Sequence, residues 1–240
     1  MTFADTAGLT GLFGAQPNPT AVVPPVTGGL ALVLVLSSAP WRLARNIVTI
    51  VHEAGHALVA VLVGRRLQGI QLHSDTSGVT LSRGKPTGPG MAMTALCGYP
   101  APAVLGLGFA SLVAANRVTA LLVIAALLLL GVLVMVRNAY GVLSVVLTAA
   151  GLALVALVAG PEVQAWFVYL ITWFLLFSGI RPLIELQSKR RRGFARDSDA
   201  DQLARLTGLP AALWVLIMVV IGLSCLVVGG AWLLEPALQP

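Results

Sequence analysis

Residues 46–64 read NIVTIVHEAGHALVAVLVG, an apolar run long enough for one membrane crossing that carries two histidines and a glutamate in its middle. Ionisable side chains in hydrocarbon cost about 2–3 kcal/mol each or more unless they find partners, so those that persist there mark functional sites. The surrounding chain has the same apolar character. Of 240 residues, 58% are hydrophobic and 10% charged, against about a quarter charged in a soluble domain. Further apolar runs lie at 22–39, 91–115, 117–136, 140–159, 164–186 and 210–234, each close to the ~20 residues that cross hydrocarbon. The expected fold is an all-α polytopic membrane protein with six or seven transmembrane helices. The weakest run is 22–39, where Pro24, Pro25, Gly28 and Gly29 permit a re-entrant or interfacial path. Residues 22–236 read as one membrane-embedded domain. Residues 1–21 read as a short tail, without the basic n-region and compact apolar core of a cleaved signal peptide.

The net charge of +6 does not point to nucleic acid, because the cations cluster at the ends of apolar runs, where they orient helices. Counting seven spans, the loops 65–90, 137–139 and 187–209 share one side. They hold Arg65, Arg66, Arg83, Lys85, Arg137, Lys189, Arg190, Arg191, Arg192, Arg196 and Arg205. The loops 40–45, 116–117 and 160–163 hold only Arg42, Arg45 and Arg117. The first set is therefore expected in the cytoplasm of a multi-pass cell-membrane protein. Arg65 then marks a boundary about 13 Å from His56 along a helix, which puts the polar motif inside the membrane nearer the cytoplasmic face. Cys97 and Cys225 form no CxxC and read as small buried hydrophobes.

On a helix, His52 and His56 share a face at i and i+4, and Glu53 stands beside them. H-E-x-x-H in this setting is the zinc-peptidase pattern: two imidazole ligands and a glutamate general base. Bound zinc lowers the pKa of a water and polarises a carbonyl. One Zn2+ per chain is therefore expected, with Glu53 as the catalytic residue. Catalytic zinc takes three protein ligands. Two carboxylates compete for the third place. Glu185 ends the run FSGIRPLIELQSKRRR, and a kink at Pro182 would carry it inward; as an ordinary interfacial acid it would pair with Arg181. Asp199 lies in ARDSDADQLARL with Asp197 and Asp201, where Ser198 also reads as a helix N-cap. The residues alone do not choose between the two. GIQLHSDTSGVTLSRG reads as a β-hairpin over 69–83, with His73 exposed. Asn138, after Arg137 at the end of a run, is a candidate for holding a substrate carbonyl, or a helix cap. The run KRRRGFAR reads as a topogenic cluster touching anionic lipid, within a basic loop at 187–209.

HEAGH followed by this hairpin, with CGYPAP at 97–102, VRNAYG at 136–141 and DSDADQLARLTGLP at 197–210, resembles the site-2 protease family of intramembrane zinc metalloproteases. The nearer likeness is to its compact branch without a PDZ domain, over roughly residues 40–235. The resemblance implies cleavage of peptide bonds in or beside transmembrane segments of membrane-protein substrates, as in regulated intramembrane proteolysis. It implies zinc on His52 and His56, and Glu53 as base. It also implies an extended substrate strand added to the hairpin edge, involving Gly78, Val79 and Thr80. The family's third ligand is an aspartate in an L-D-G segment of a later helix. This chain has no L-D-G; RPLIEL is its nearest analogue by position, with Asp199 in DSDA as the rival, and the family's placement of the ligand on a later helix near a proline makes Glu185 the preferred choice. Two other readings compete: a pseudoprotease that only grips transmembrane segments, and a metal-ion transporter using intramembrane His and Glu.

Overall fold

The structure, a computed structural model, describes residues 14, 16, 19–194 and 197–238, so most of the tail expected at 1–21 lies outside the described residues. The elements are helices α1 (Val23–Leu36) and α2 (Ser38–Leu62), strands β1 (Arg66–Leu72) and β2 (Gly78–Arg83), and helices α3 (Pro89–Leu96), α4 (Ala101–Ala114), α5 (Val118–Met135), α6 (Ala139–Val158), α7 (Pro161–Ser178), α8 (Arg181–Arg191), α9 (Asp199–Thr207) and α10 (Ala211–Leu238). Val118–Met135, Ala139–Val158, Pro161–Arg191 and Ala211–Ala237 are each long and apolar enough to cross a membrane. Two further pairs qualify only when joined: α1 with α2, bent by 98°, and α3 with α4, bent by 70°. The molecule is thus an all-α polytopic membrane protein, with four to six candidate spans and one small antiparallel sheet among the described residues. The separate span expected at 22–39 does not stand alone, because the chain turns sharply at Ser37 and continues as α2.

The breaks follow the sequence. Prolines open α1, α3, α4, α7 and α8, where a missing N–H costs no helical hydrogen bond. CGYP at 97–100 separates α3 from α4, since Pro100 disfavours helical backbone before it. Pro182 lies at the start of α8 rather than in mid-helix, so it does not act as the inward kink expected of it.

α7 is the centre of the bundle. Its Tyr169, Trp173, Phe174, Leu175 and Leu176 are buried among residues of α1, α4, α5 and α10. Small residues let the neighbours approach: a Cβ on Gly106 of α4 would come within 2.9 Å of the Leu176 backbone nitrogen. The Trp173 indole donates to Pro24 O at 3.1 Å and so ties α1 to α7. α5 and α6 form an outer hairpin whose Leu157, Val134 and Leu147 are 84%, 66% and 63% exposed, as suits a surface solvated by lipid tails.

β1 and β2 pair antiparallel from Arg66↔Arg83 to Leu72↔Gly78, with a bulge between Leu67 and Gly69. Gly69 has φ +146°, and a Cβ there would fall 2.3 Å from Arg137 Cγ, so the bulge needs glycine. The far side of β1 is also covered. Ile70 bridges Val136 in parallel, Arg137 N donates to Ile70 O at 2.9 Å, and the Asn138 amide bonds both the N–H and the C=O of Leu72. Thr49 of α2 donates to Thr76 O at 2.8 Å and pins the hairpin tip.

The stretch expected as a basic loop at 187–209 is mostly helical, as the end of α8 and all of α9. The loops 40–45 and 187–209, expected on opposite sides, are not apart either. Arg45 pairs with Glu185 at 3.3 Å, and Arg42 shares a groove with Lys189 and Arg192. The sharp turn at Ser37 brings the start of α2 to this end of the molecule.

Candidate metal centre

α2 carries His52, Glu53 and His56 against the hairpin on one side and α3 on the other. His52 and His56 stand one turn apart, their rings edge to face at 4.7 Å between centroids, with Nε2 atoms 3.1 Å apart. The buried His56 Nδ1–H donates to Thr94 O of α3 at 2.7 Å. That bond fixes the tautomer and turns the lone pair of Nε2 towards His52. Gly98, in the break between α3 and α4, lies against both rings: a Cβ there would meet His56 Nε2 at 2.3 Å and His52 Cε1 at 2.7 Å. The Tyr99 ring packs edge-on to His52 at 4.7 Å.

Of the two carboxylates weighed, the structure brings Asp199 to the histidines and not Glu185. Asp199 Oδ2 is 3.4 Å from His52 Nε2 and 3.2 Å from His56 Nε2. Burial disfavours its charge, but the facing imidazoles of His56 and His52 outweigh that and hold the carboxyl below the usual carboxylate range. Asp199 is the first residue of α9. That helix is anchored by Ala200 and Leu203, fully buried with Leu183, Leu186, Val215 and Met218 of α8 and α10. Its N-terminus is fixed twice. Ser198 Oγ accepts from Asp201 N at 3.3 Å, and Arg190 of α8 grips Asp201 Oδ1 through Nη2 at 2.8 Å and Nε at 3.1 Å. Burial works against the charge of the Asp201 carboxyl, but the Ser198 hydroxyl, donating to Oδ2, and the Arg190 grip hold it below its usual range. Gly208, at φ +76°, closes α9 as a left-handed C-cap.

Glu185 is occupied elsewhere. Its Oε1 accepts from Arg181 Nε at 3.0 Å and its Oε2 lies 3.3 Å from Arg45 Nη1. Because α8 starts at Arg181, the carboxylate follows that helix into an arginine pair rather than towards α2.

Glu53 is 4% exposed and its Oε2 accepts from the Thr80 hydroxyl of β2 at 2.7 Å. Gly78 lies beneath the same carboxylate, where a Cβ would meet Oε1 at 2.8 Å. Val79 points to the other face of the strand and is 38% exposed. Asn138 does not face the histidines, being engaged by Leu72. His73 is exposed at the hairpin tip, and Cys97 and Cys225 are free thiols.

Among the described residues, His52, His56 and Asp199 form the one group able to hold a metal ion, their ligand atoms lying within 4.8 Å of one another. The fit can be tested on spacing. Ligand atoms around tetrahedral zinc, with bonds of about 2.0–2.1 Å, stand roughly 3.3 Å apart. The three separations here, 3.1, 3.4 and 3.2 Å, match that edge, and the missing side chain of Gly98 leaves room beside His56 Nε2 and His52 Cε1. Sequence reasoning gave no role to Thr94, Gly98 or Tyr99. The one signal was CGYP itself, a turn-forming tetrapeptide set inside an apolar run.

A family model described as Peptidase M50B-like matches residues 26–229. No curated protein and no solved structure matches the chain.

Proposed function

Because this chain belongs to the Peptidase M50B-like family, we propose that it is an intramembrane zinc endopeptidase that hydrolyses peptide bonds in or beside transmembrane segments of other membrane proteins. The observation that carries the reading is the convergence of His52, His56 and Asp199 at zinc-like spacing beside the buried Glu53. His52 Nε2, His56 Nε2 and Asp199 Oδ2 would hold the ion. Bound zinc supplies Lewis-acid polarisation of the scissile carbonyl and an acidified water.

The chain's own residues do the rest. Glu53 Oε2 is fixed by Thr80, which leaves Oε1 to take a proton from the attacking water. Water oxygen bonds to the carbonyl carbon, the C–N bond breaks, and Glu53 returns the proton to the leaving amine. The strand that fixes Glu53 also offers a place for substrate. β1 is covered on both sides, by β2 and by Val136–Asn138, so among the described residues the outer edge of β2 is the open edge of this sheet. An extended segment pairing with Gly78–Thr80 would pass next to Glu53, and Val79 and Leu81, 38% and 42% exposed, offer it apolar contacts. The joining of 40–45 to the same end as 187–209 leaves Arg117 as the cation of the opposite loops, which supports placing the site nearer the cytoplasmic face. Among the described residues one candidate metal group supplies no chain of ligands across a bilayer, which disfavours a transporter.

Glu53→Gln separates the roles. Both imidazoles and Asp199 remain, so zinc content should stay near one per chain, while turnover of a model transmembrane substrate should fall by about 100-fold or more. Wild-type turnover in this variant would remove Glu53 from the reaction, and absence of turnover by the unsubstituted, zinc-loaded chain would remove the protease reading.

A further inference from the structure

Two grooves flank α8 and share one of its edges. The first, about 500 Å³, lies between the start of α2 and α8 and is lined by five cations, Arg42, Arg45, Arg181, Lys189 and Arg192, with one carboxylate, Glu185. Glu185 is already spent on Arg45 and Arg181. Trp41 forms part of the same wall, with the Arg181 guanidinium 4.6 Å above its ring, and Ser38 and Ser188 add hydroxyl groups. The second groove, about 560 Å³, runs between α8 and α10 and is lined mainly by Leu183, Ile184, Ala212, Val215, Leu216 and Val219. Ile184, Ser188 and Arg192 border both, a ridge of residues four apart on one helix face.

The run at 189–192 alone would serve to orient a helix. Orientation does not require Arg42 and Arg45, from a distant part of the chain, to face that run across a hollow. We propose that this pair of grooves is a binding site for an anionic phospholipid, with its phosphate among Arg42, Lys189 and Arg192 and an acyl chain in the α8–α10 trough. Charge complementarity selects the headgroup. Five cations against one carboxylate leave a positive excess that a net-anionic headgroup reduces and a zwitterionic one does not. The adjoining apolar trough selects a lipid over a free phosphate, because an inorganic anion leaves that surface uncovered. Ile184 and Leu216, 63% and 56% exposed, are the side chains an acyl chain would cover. The site also bears on the metal centre. α8 carries Arg190, which grips Asp201 two residues beyond Asp199, so a lipid seated along α8 braces the helix that steadies α9.

The test uses the full chain in detergent, with retained lipid counted by native mass spectrometry. Phosphatidylglycerol should be retained at least about tenfold more than phosphatidylcholine. Each interfacial cation contributes about a fivefold change in affinity for anionic lipid, so Arg42→Gln combined with Arg192→Gln should weaken retention by about 25-fold and leave phosphatidylcholine unchanged. Arg66→Gln with Arg83→Gln removes the same charge from the hairpin and should change retention less than twofold. Lys189→Gln, a single change at an α8 end, should give about a fivefold loss and keeps the test open if the double variant folds poorly. Excess inorganic phosphate should leave the lipid bound. Equal retention of the two lipids, an equal loss in the hairpin control, or displacement of the lipid by inorganic phosphate would each overturn the proposal.

Discussion

Glu185 and Asp199 lie in the same stretch of chain between α7 and α10, and both are half-buried acids facing cations or imidazoles. Their fates differ because of the helices that carry them. α8 continues the line of α7, so Glu185 is held along that line and meets Arg181 one turn back and Arg45 from α2. α9 is a separate short helix with one apolar face. Burying Ala200 and Leu203 against α3, α8 and α10 aims its first residue at α2. A carboxylate here becomes a candidate ligand through the packing of the helix behind it, not through its depth along a neighbouring span.

The largest effect expected from breaking this comparison is Asp199→Ala. Two imidazoles would remain, and the loss should exceed the roughly 10–100-fold that follows removal of an outer-shell partner. Zinc measured in the purified variant should fall to a small fraction of one per chain, and turnover should fall with it. Zinc retained at wild-type level would detach Asp199 from the site.

How much of this was legible beforehand follows from distance along the chain. HEAGH needs only helical periodicity to bring His52 and His56 together, and the cost of placing them in an apolar run made the motif stand out. The apolar runs likewise showed the membrane class, and the Ser-Gly turn showed the hairpin. The third partner depended on tertiary packing. The sequence reading favoured Glu185 from the family's placement of a ligand near a proline on a later helix, and it needed Pro182 to bend a continuing helix, whereas Pro182 begins one. It discounted Asp199 because four basic residues precede it, yet those residues end α8 and the chain then turns back as α9. The 98° bend at Ser37 was hidden for a similar reason: proline and glycine in 22–39 signalled irregularity, but no local signal gave the direction of the turn. Gly98 was visible only as a break, since its closeness to two rings depends on how α3 meets α2.

A smaller effect should come from the clamp behind Asp199. Asp201→Asn removes the charge that Arg190 holds at 2.8 Å without touching a ligand atom. Zinc affinity should weaken by about tenfold, the low end for an outer-shell change. Arg190→Gln should do the same, and the double variant should be little worse than either, because both changes break one contact. Additive losses would mean that the two residues act on α9 separately.

The smallest effect on the metal should come from Glu185→Gln, which bears most directly on the comparison. Glu185 lies among arginines, with its side chain 27% exposed and those of Arg45 and Arg181 31% and 22% exposed. Neutralising it should leave zinc content and zinc affinity unchanged, since no atom of Glu185 belongs to the candidate ligand group. The cost should appear in stability. A partly exposed ion pair contributes up to about 1 kcal/mol, which for a chain of this size lowers the melting temperature by about 2–4 °C. The decisive comparison measures zinc in Glu185→Gln beside Asp199→Ala. Loss confined to Asp199→Ala, with only a modest thermal shift in Glu185→Gln, is the expected outcome. Loss confined to Glu185→Gln would reverse the roles of the two acids and require α8 to leave its arginine partners and swing towards α2.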